Sequence, residues 1–253
     1  MGMAEQKSPI NMPLRVEELV FSYGTKPFFS SLSFELLAGT ITCLVGGNGA
    51  GKTTLFNIIS GYLSAQSGQI IIQGRDLTHA DPYQISNAGL SRTFQDLRLI
   101  PSMSVQDNIR LACRKQPSET LARALLPQIL FRQSEKQQEQ KTAELLSSYQ
   151  LRDVAKQRAD SISFGQQKLL TLACCEATGG AIFLLDEPAA GIHREYRGAI
   201  IERIRCLAKS GQTILLIEHQ TDILQALGEQ FLLLRDGRVS LHQSFAKMAL
   251  AQE

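Results

Sequence analysis

The chain has 253 residues, enough for one domain with a sizeable core or one domain carrying a smaller lobe. Its 26 basic and 24 acidic residues leave a net charge of +2, which removes any electrostatic reason to expect nucleic acid or an anionic membrane as a partner. Five cysteines (Cys43, Cys113, Cys174, Cys175 and Cys206) are odd in number and show no C-x-x-C spacing. They predict neither a disulfide framework nor a zinc site, as befits a reducing compartment. No apolar run approaches the ~20 residues needed to span a bilayer. Residues 1–13 lack the apolar centre of a secretion signal and read as a flexible leader.

In chain order, residues 14–23 and 32–37 have strand character and are separated by Gly24-Thr25-Lys26-Pro27, a turn signal. They predict an antiparallel ribbon. Tyr23 stands at its first corner, where an aromatic ring either stacks on a purine or packs the ribbon; the sequence leaves both open. Residues 40–45 are short, apolar and β-branched, the pattern of a buried strand, and residues 55–59 carry no breaker and read as a helix.

Between them lies Gly46-Gly47-Asn48-Gly49-Ala50-Gly51-Lys52-Thr53-Thr54, which fits G-x-x-x-x-G-K-[ST] in the strand–loop–helix setting that motif requires. The glycines let the main chain curl so that successive N–H groups point into one concavity. The helix that follows adds unpaired N–H groups and the positive end of its dipole. Gly46, Asn48, Gly49, Ala50, Gly51, Lys52, Thr53 and Thr54 are therefore the expected phosphate cradle. Lys52 reaches the terminal phosphates and the Thr53 hydroxyl holds Mg2+.

Residues 69–74 read as a further strand, and Asp81-Pro82 as an N-cap and first position of a short helix. Residues 91–95 read as a strand end that leaves Gln95, an uncharged oxygen ligand, close to a loop. From Asp96 to about Asp160 the β-branched runs thin out and Glu, Gln, Lys, Arg, Ala and Leu dominate, which predicts a helical lobe divided by Pro101, Pro117 and Pro127. The charge run at 132–141 reads as a solvated helix face.

Residues 161–168 form a turn feeding a helix. Ser163 and Gly165 there offer a hydroxyl and N–H groups at a helix start, a second anion site. A second phosphate grip in one chain suggests closure over a nucleotide held by another subunit. Ala181-Ile182-Phe183-Leu184-Leu185 is a strand buried on both faces, and Asp186-Glu187 follow at its carboxyl end, where open α/β sheets bind ligands. On an extended strand two adjacent carboxylates point in different directions, so Asp186 is assigned to Mg2+ and Glu187 to the general base of a phosphoanhydride hydrolysis. A helix over 195–209, a strand over 213–217 ending in Glu218-His219, a helix over 222–228 and strands at 231–234 and 238–241 complete the alternation. His219 is placed to contact the terminal phosphate.

At this point the chain resembles the ATP-binding subunits of ABC transporters from about residue 14 onward. Tyr23 is similar to the family's A-loop aromatic, residues 46–54 to Walker A and Gln95 to the Q-loop glutamine. Ser163-Phe164-Gly165-Gln166 resembles the signature, Leu184-Leu185-Asp186-Glu187 Walker B and His219 the switch histidine. The resemblance implies a P-loop NTPase α/β core with an antiparallel β subdomain and an inserted α-helical subdomain at about 96–160. It also implies ATP and Mg2+ as cofactors, with Gln95 and Gln166 added to the site and Gln95 to the metal set.

Arg92-Thr93-Phe94-Gln95 with Leu97-Arg98-Leu99-Ile100-Pro101, Phe164 in place of a glycine, and Asp186-Glu187-Pro188-Ala189-Ala190-Gly191 resemble the subunits of branched-chain amino acid importers and their urea or amide relatives. That implies a head-to-tail ATPase dimer with a sister subunit or an identical chain, in which Ser163 and Gly165 of one subunit cap ATP held by Lys52 of the other. It further implies polytopic membrane permease subunits docking near Gln95, an extracytoplasmic solute-binding protein acting indirectly, and a peripheral position on the cytoplasmic face of the membrane. His193 and Arg194 depart from the family's D-loop, Cys174-Cys175 from its Ala-Arg-Ala, and Gly179-Gly180 from its Asn-Pro. A soluble ABC ATPase of repair or translation is the second reading. One P-loop, no sustained heptads and balanced charge count against it.

Overall fold

A computed structural model describes residues 12–94, 97–113 and 132–252 of the chain. Two sheets organise it. The first is antiparallel, in the order β2-β1-β4-β5, and comprises β1 (Leu14–Tyr23), β2 (Lys26–Leu36), β4 (Ser67–Ile72) and β5 (Arg75–Asp76). The second has the order β10-β9-β3-β8-β7-β6 and contains β3 (Ile41–Val45), β6 (Leu90–Arg92), β7 (Ile182–Asp186), β8 (Thr213–Ile217), β9 (Gln230–Arg235) and β10 (Arg238–His242). Its pairs are parallel except β9–β10.

β3, β7 and β8 are buried at every position, which explains why, Thr42, Asp186 and Thr213 apart, they are apolar. Successive residues point to opposite faces. Ile41, Cys43, Phe183, Leu185, Ile214 and Leu216 face one core, shared with the long helices, while Leu44, Ile182, Leu184, Leu215 and Ile217 face a second core, shared with the antiparallel sheet. The helices are α1 (Lys52–Ile59), α2 (Pro82–Asn87), α3 (Val105–Ala112), α4 (Arg132–Ser148), α5 (Phe164–Ala177), α6 (Arg194–Lys209), α7 (Thr221–Leu227) and α8 (Phe245–Gln252). Asp81 caps α2 in a capping box with Gln84 and Pro82 opens it, as the sequence predicts. No described helix is long and apolar enough to cross a membrane.

Several expectations are corrected. β2 starts at Lys26, not at Leu32; it is an edge strand, where Pro27 costs no ladder hydrogen bond, and register shifts in its pairing with β1 absorb the irregularity. β6 ends at Arg92, so the strand does not run on toward Gln95. Glu187 lies outside the strand: β7 stops at Asp186, and Glu187 has φ 47°, a left-handed conformation that turns the chain away. α8 has no counterpart in the sequence reading. It is held by tertiary contacts, with Met248 buried and the Phe245 ring edge-on to Phe231 at 5.8 Å.

Candidate active site

The stretch expected to bind phosphate lies between β3 and α1, at the carboxyl end of β3. Two of its glycines are dictated by their surroundings. A Cβ on Gly46 would sit 2.5 Å from the Leu234 carbonyl oxygen, and Gly51, the N-cap of α1 at φ 105°, would put one 2.4 Å from the Phe28 ring. The Lys52 side chain is only 7% exposed. Its ammonium donates to the carbonyl oxygens of Gly46 at 2.7 Å and Gly47 at 3.1 Å. Burial pulls its pKa below the ordinary lysine value, against the charges of Glu187 and Asp186.

A cleft of about 260 Å3 opens over this loop and gathers Asn48, Gly49, Gly51, Lys52, Thr53, Thr54, Glu187 and His219, together with Phe28 and Ile217. Tyr23 stands at its rim, half exposed. Its hydroxyl lies 3.1 Å from Thr54 Oγ1, and its ring meets Phe21 and Phe28 edge-on at 4.9 and 5.3 Å. The ring therefore packs the ribbon and also borders the loop.

Asp186 is 3% exposed. Its N–H donates to Thr93 Oγ1 at 3.0 Å, while its own Oδ2 is buried without a hydrogen-bond partner among the described residues. Burial raises its pKa and the nearby Arg92 guanidinium opposes the rise. A buried, unsatisfied carboxylate oxygen beside a hydroxyl-bearing phosphate loop is the donor chemistry that suits a hard divalent cation. Glu187 turns the other way. Its Oε1 lies 3.1 Å from His219 Nε2. Its N–H donates to the Ile217 carbonyl at 3.0 Å, and its carbonyl accepts from Lys168 Nζ at 3.3 Å.

Ser163, Gly165 and Gln166 do not line this cleft. Ser163 is the N-cap of α5: its hydroxyl accepts the Gln166 N–H at 3.3 Å, and the Gln166 side chain accepts the Ser163 N–H at 3.0 Å. Gly165 is buried beneath Tyr196, and Phe164 stands 49% exposed beside them. Gln95 lies outside the described residues. Sequence reasoning missed Phe28, Thr93 and Lys168 in this neighbourhood. Each acts through a long-range approach, and only the Phe28-Phe29 pair after a proline offered any local signal.

Residues 29–190 match the family model described as ABC transporter, and the chain belongs to that family. It is an ABC transporter ATPase, an ATP-binding subunit that works with permease partners. Among its relatives, the high-affinity branched-chain amino acid transport ATP-binding protein LivG of Salmonella typhimurium and of Escherichia coli K12 is 32% identical over 225 residues, 88% of either chain. The corresponding protein BraF of Pseudomonas aeruginosa is 28% identical over 227 residues, again 88% of either chain. The solved structure of a nucleotide-free ATP-binding cassette from an ABC transporter superposes with a TM-score of 0.80 at 26% identity, over 95% of this chain and 94% of that one. The ADP conformation of such a cassette gives 0.79 at 25% identity, over 96% and 95%.

Proposed function

We propose that this chain hydrolyses ATP to drive an importer of branched-chain amino acids or of a related amino acid, urea or amide. The observation that carries the proposal is the single cleft in which Lys52, Thr53, Glu187 and His219 converge. The relatives' names point to the solute class.

In this reading the loop amides of residues 46–51 and the Lys52 ammonium bind the β- and γ-phosphates, and Tyr23 receives the base. Glu187 takes the proton of the attacking water, and His219 holds the Glu187 carboxylate toward the terminal phosphate. The Thr53 hydroxyl, Asp186 and Gln95 would hold Mg2+, which neutralises phosphate charge when bound. The buried, unpartnered Oδ2 of Asp186 supports that assignment.

Ser163, Gly165 and Gln166 lie away from the cleft, which supports a head-to-tail dimer, with a sister ATPase subunit favoured, in which they cap the partner's nucleotide. Residues 14–253 form the ATPase domain, about 96–160 its helical lobe. It sits peripherally on the cytoplasmic face beneath polytopic permease subunits fed by a solute-binding protein, with no nucleic acid partner. Co-expression with the neighbouring membrane subunits tests this: the complex should purify intact, and ATP turnover in proteoliposomes should rise with the loaded binding protein. Turnover indifferent to every branched-chain amino acid, urea and amide, or co-purification with ribosomes or DNA instead, overturns it.

A further inference from the structure

Glu218, the residue immediately after β8, is 2% exposed and forms no ion pair among the described residues. Its carboxylate is held by main-chain amides. Oε1 accepts the Ala189 N–H at 3.1 Å and Oε2 accepts the His219 N–H at 3.3 Å. Ala189 belongs to the loop that follows β7, two residues beyond Glu187; His219 belongs to the loop that follows β8. One buried carboxylate therefore clips together the two loops that carry the base and the histidine.

That clip acts where the chain is strained. Glu187 has φ 47°, a conformation that a residue with a Cβ keeps only when its surroundings over-determine it. The Glu187 N–H is tied to Ile217 at 3.0 Å and its carbonyl to Lys168 at 3.3 Å. Only Pro188 separates Glu187 from Ala189, the point that Glu218 grips, and its fixed φ removes one of the soft torsions between them, which couples a shift at Ala189 to Glu187. The 3.1 Å approach of Glu187 Oε1 to His219 Nε2 needs both loops in register.

We propose that Glu218 is a positioning residue for ATP hydrolysis, acting through Glu187 and His219 without touching nucleotide. The inference rests on the reading of Glu187 as the general base. Glu218→Gln keeps the volume and one acceptor oxygen but turns the other oxygen into a donor facing an amide, so the clip is lost on one side.

Steady-state ATPase kinetics, calorimetric ATP binding and thermal melting of Glu218→Gln, Glu187→Gln and the double variant form the test. Glu218→Gln should lower kcat on the order of ten- to a hundredfold, the cost of misplacing a reacting group by about 1 Å. KM and ATP affinity should stay near parental values, and the melting midpoint should fall by no more than about ten degrees, leaving a cooperative transition. In the Glu187→Gln background Glu218→Gln should add no further loss, because the group it positions is gone. A parental kcat in Glu218→Gln, losses that multiply in the double variant, or joint loss of ATP affinity and the melting transition overturns the inference. If Glu187→Gln itself keeps parental turnover, the base assignment falls and this inference with it. A slow Glu187→Gln beside a fast Glu218→Gln defeats the inference alone.

Discussion

Glu187 Oε1 and His219 Nε2 lie 3.1 Å apart, although the two residues stand at the ends of different strands and are joined across the sheet by the parallel pairing of β7 with β8. The pairing sets Asp186 opposite Ile217, which brings Glu187, one residue past β7, and His219, two residues past β8, to the same end of the sheet. In the proposed reading a base is thereby held next to a group that can orient it. Glu187→Gln should lower ATP turnover by roughly 10²–10⁴-fold with ATP affinity retained, the span usual for removing a general base. Single-turnover kinetics beside calorimetry checks it, and parental turnover would remove Glu187 from that role.

Lys52 should matter at the binding step. Its buried ammonium is already held by two loop carbonyls, so it is presented to the cleft with few rotamers to lose. A charge-assisted hydrogen bond contributes about 1.5–3 kcal/mol, so Lys52→Ala should weaken ATP binding roughly ten- to a hundredfold. Calorimetric titration is the measurement. An unchanged dissociation constant would contradict the phosphate-binding role.

Asp186 gives a pH prediction with a definite sign. Its pKa in the folded protein is raised, chiefly by burial, and Arg92 only partly offsets this. A folded-state pKa above the unfolded value means that the native protein holds the proton more tightly. Stability from this group is then present below the unfolded value of 3.8 and is lost as pH rises through the raised folded value. Asp186→Asn removes that titration. In metal-free buffer the melting temperature of Asp186→Asn relative to the parent should climb as pH goes from 4 toward 7. At neutral pH Mg2+ and ATP together should stabilise the parent more than the variant. A difference that is flat or falls with pH would show that burial does not dominate at Asp186.

Gly165 has a packing role apart from any contact with nucleotide. A Cβ placed there would fall 2.4 Å from the Tyr196 ring, which joins the start of α5 to α6. Gly165→Ala should cost about 1–3 kcal/mol through overpacking, and Tyr196→Ala in the same chain should recover part of it. Urea unfolding of the two single variants and the pair tests the coupling; strict additivity would mean that the ring moves freely.

Glu176, Tyr149 and Arg203 form a second, mostly buried junction. The Tyr149 hydroxyl donates to Glu176 Oε2 at 2.7 Å, Arg203 Nε donates to the same oxygen at 2.8 Å, and the Arg203 guanidinium also bonds Oε1 and lies over the Tyr149 ring. The three residues lie just after α4, on α5 and on α6, so the junction ties together the helical layer. Glu176→Ala strands a cation and a hydroxyl and should cost about 1–3 kcal/mol, whereas Tyr149→Phe should cost nearer 1 kcal/mol. Denaturant midpoints for both variants decide it, and equal, negligible losses would mean that solvent replaces the bonds.

The sequence by itself determined the class of protein, because the signals that carry it are local. Residues 46–54 carry the glycine, lysine and threonine spacing of a phosphate loop within nine residues, and β3, β7 and β8 are short, mainly apolar runs of the kind buried in a parallel sheet. Asp81-Pro82 wrote its helix start in two residues. Tertiary structure decided what depends on distant partners. Nothing near Phe28 in the chain says that its ring closes on Gly51, nothing near Thr93 that its hydroxyl takes the Asp186 amide, and nothing near Glu218 that it reaches across to Ala189. The left-handed turn at Glu187 could not be read from an apolar run followed by two acids, since the residue before a proline is biased toward extended backbone. It is imposed by hydrogen bonds from β8 and α5, elements that exist around it only after the sheet has closed.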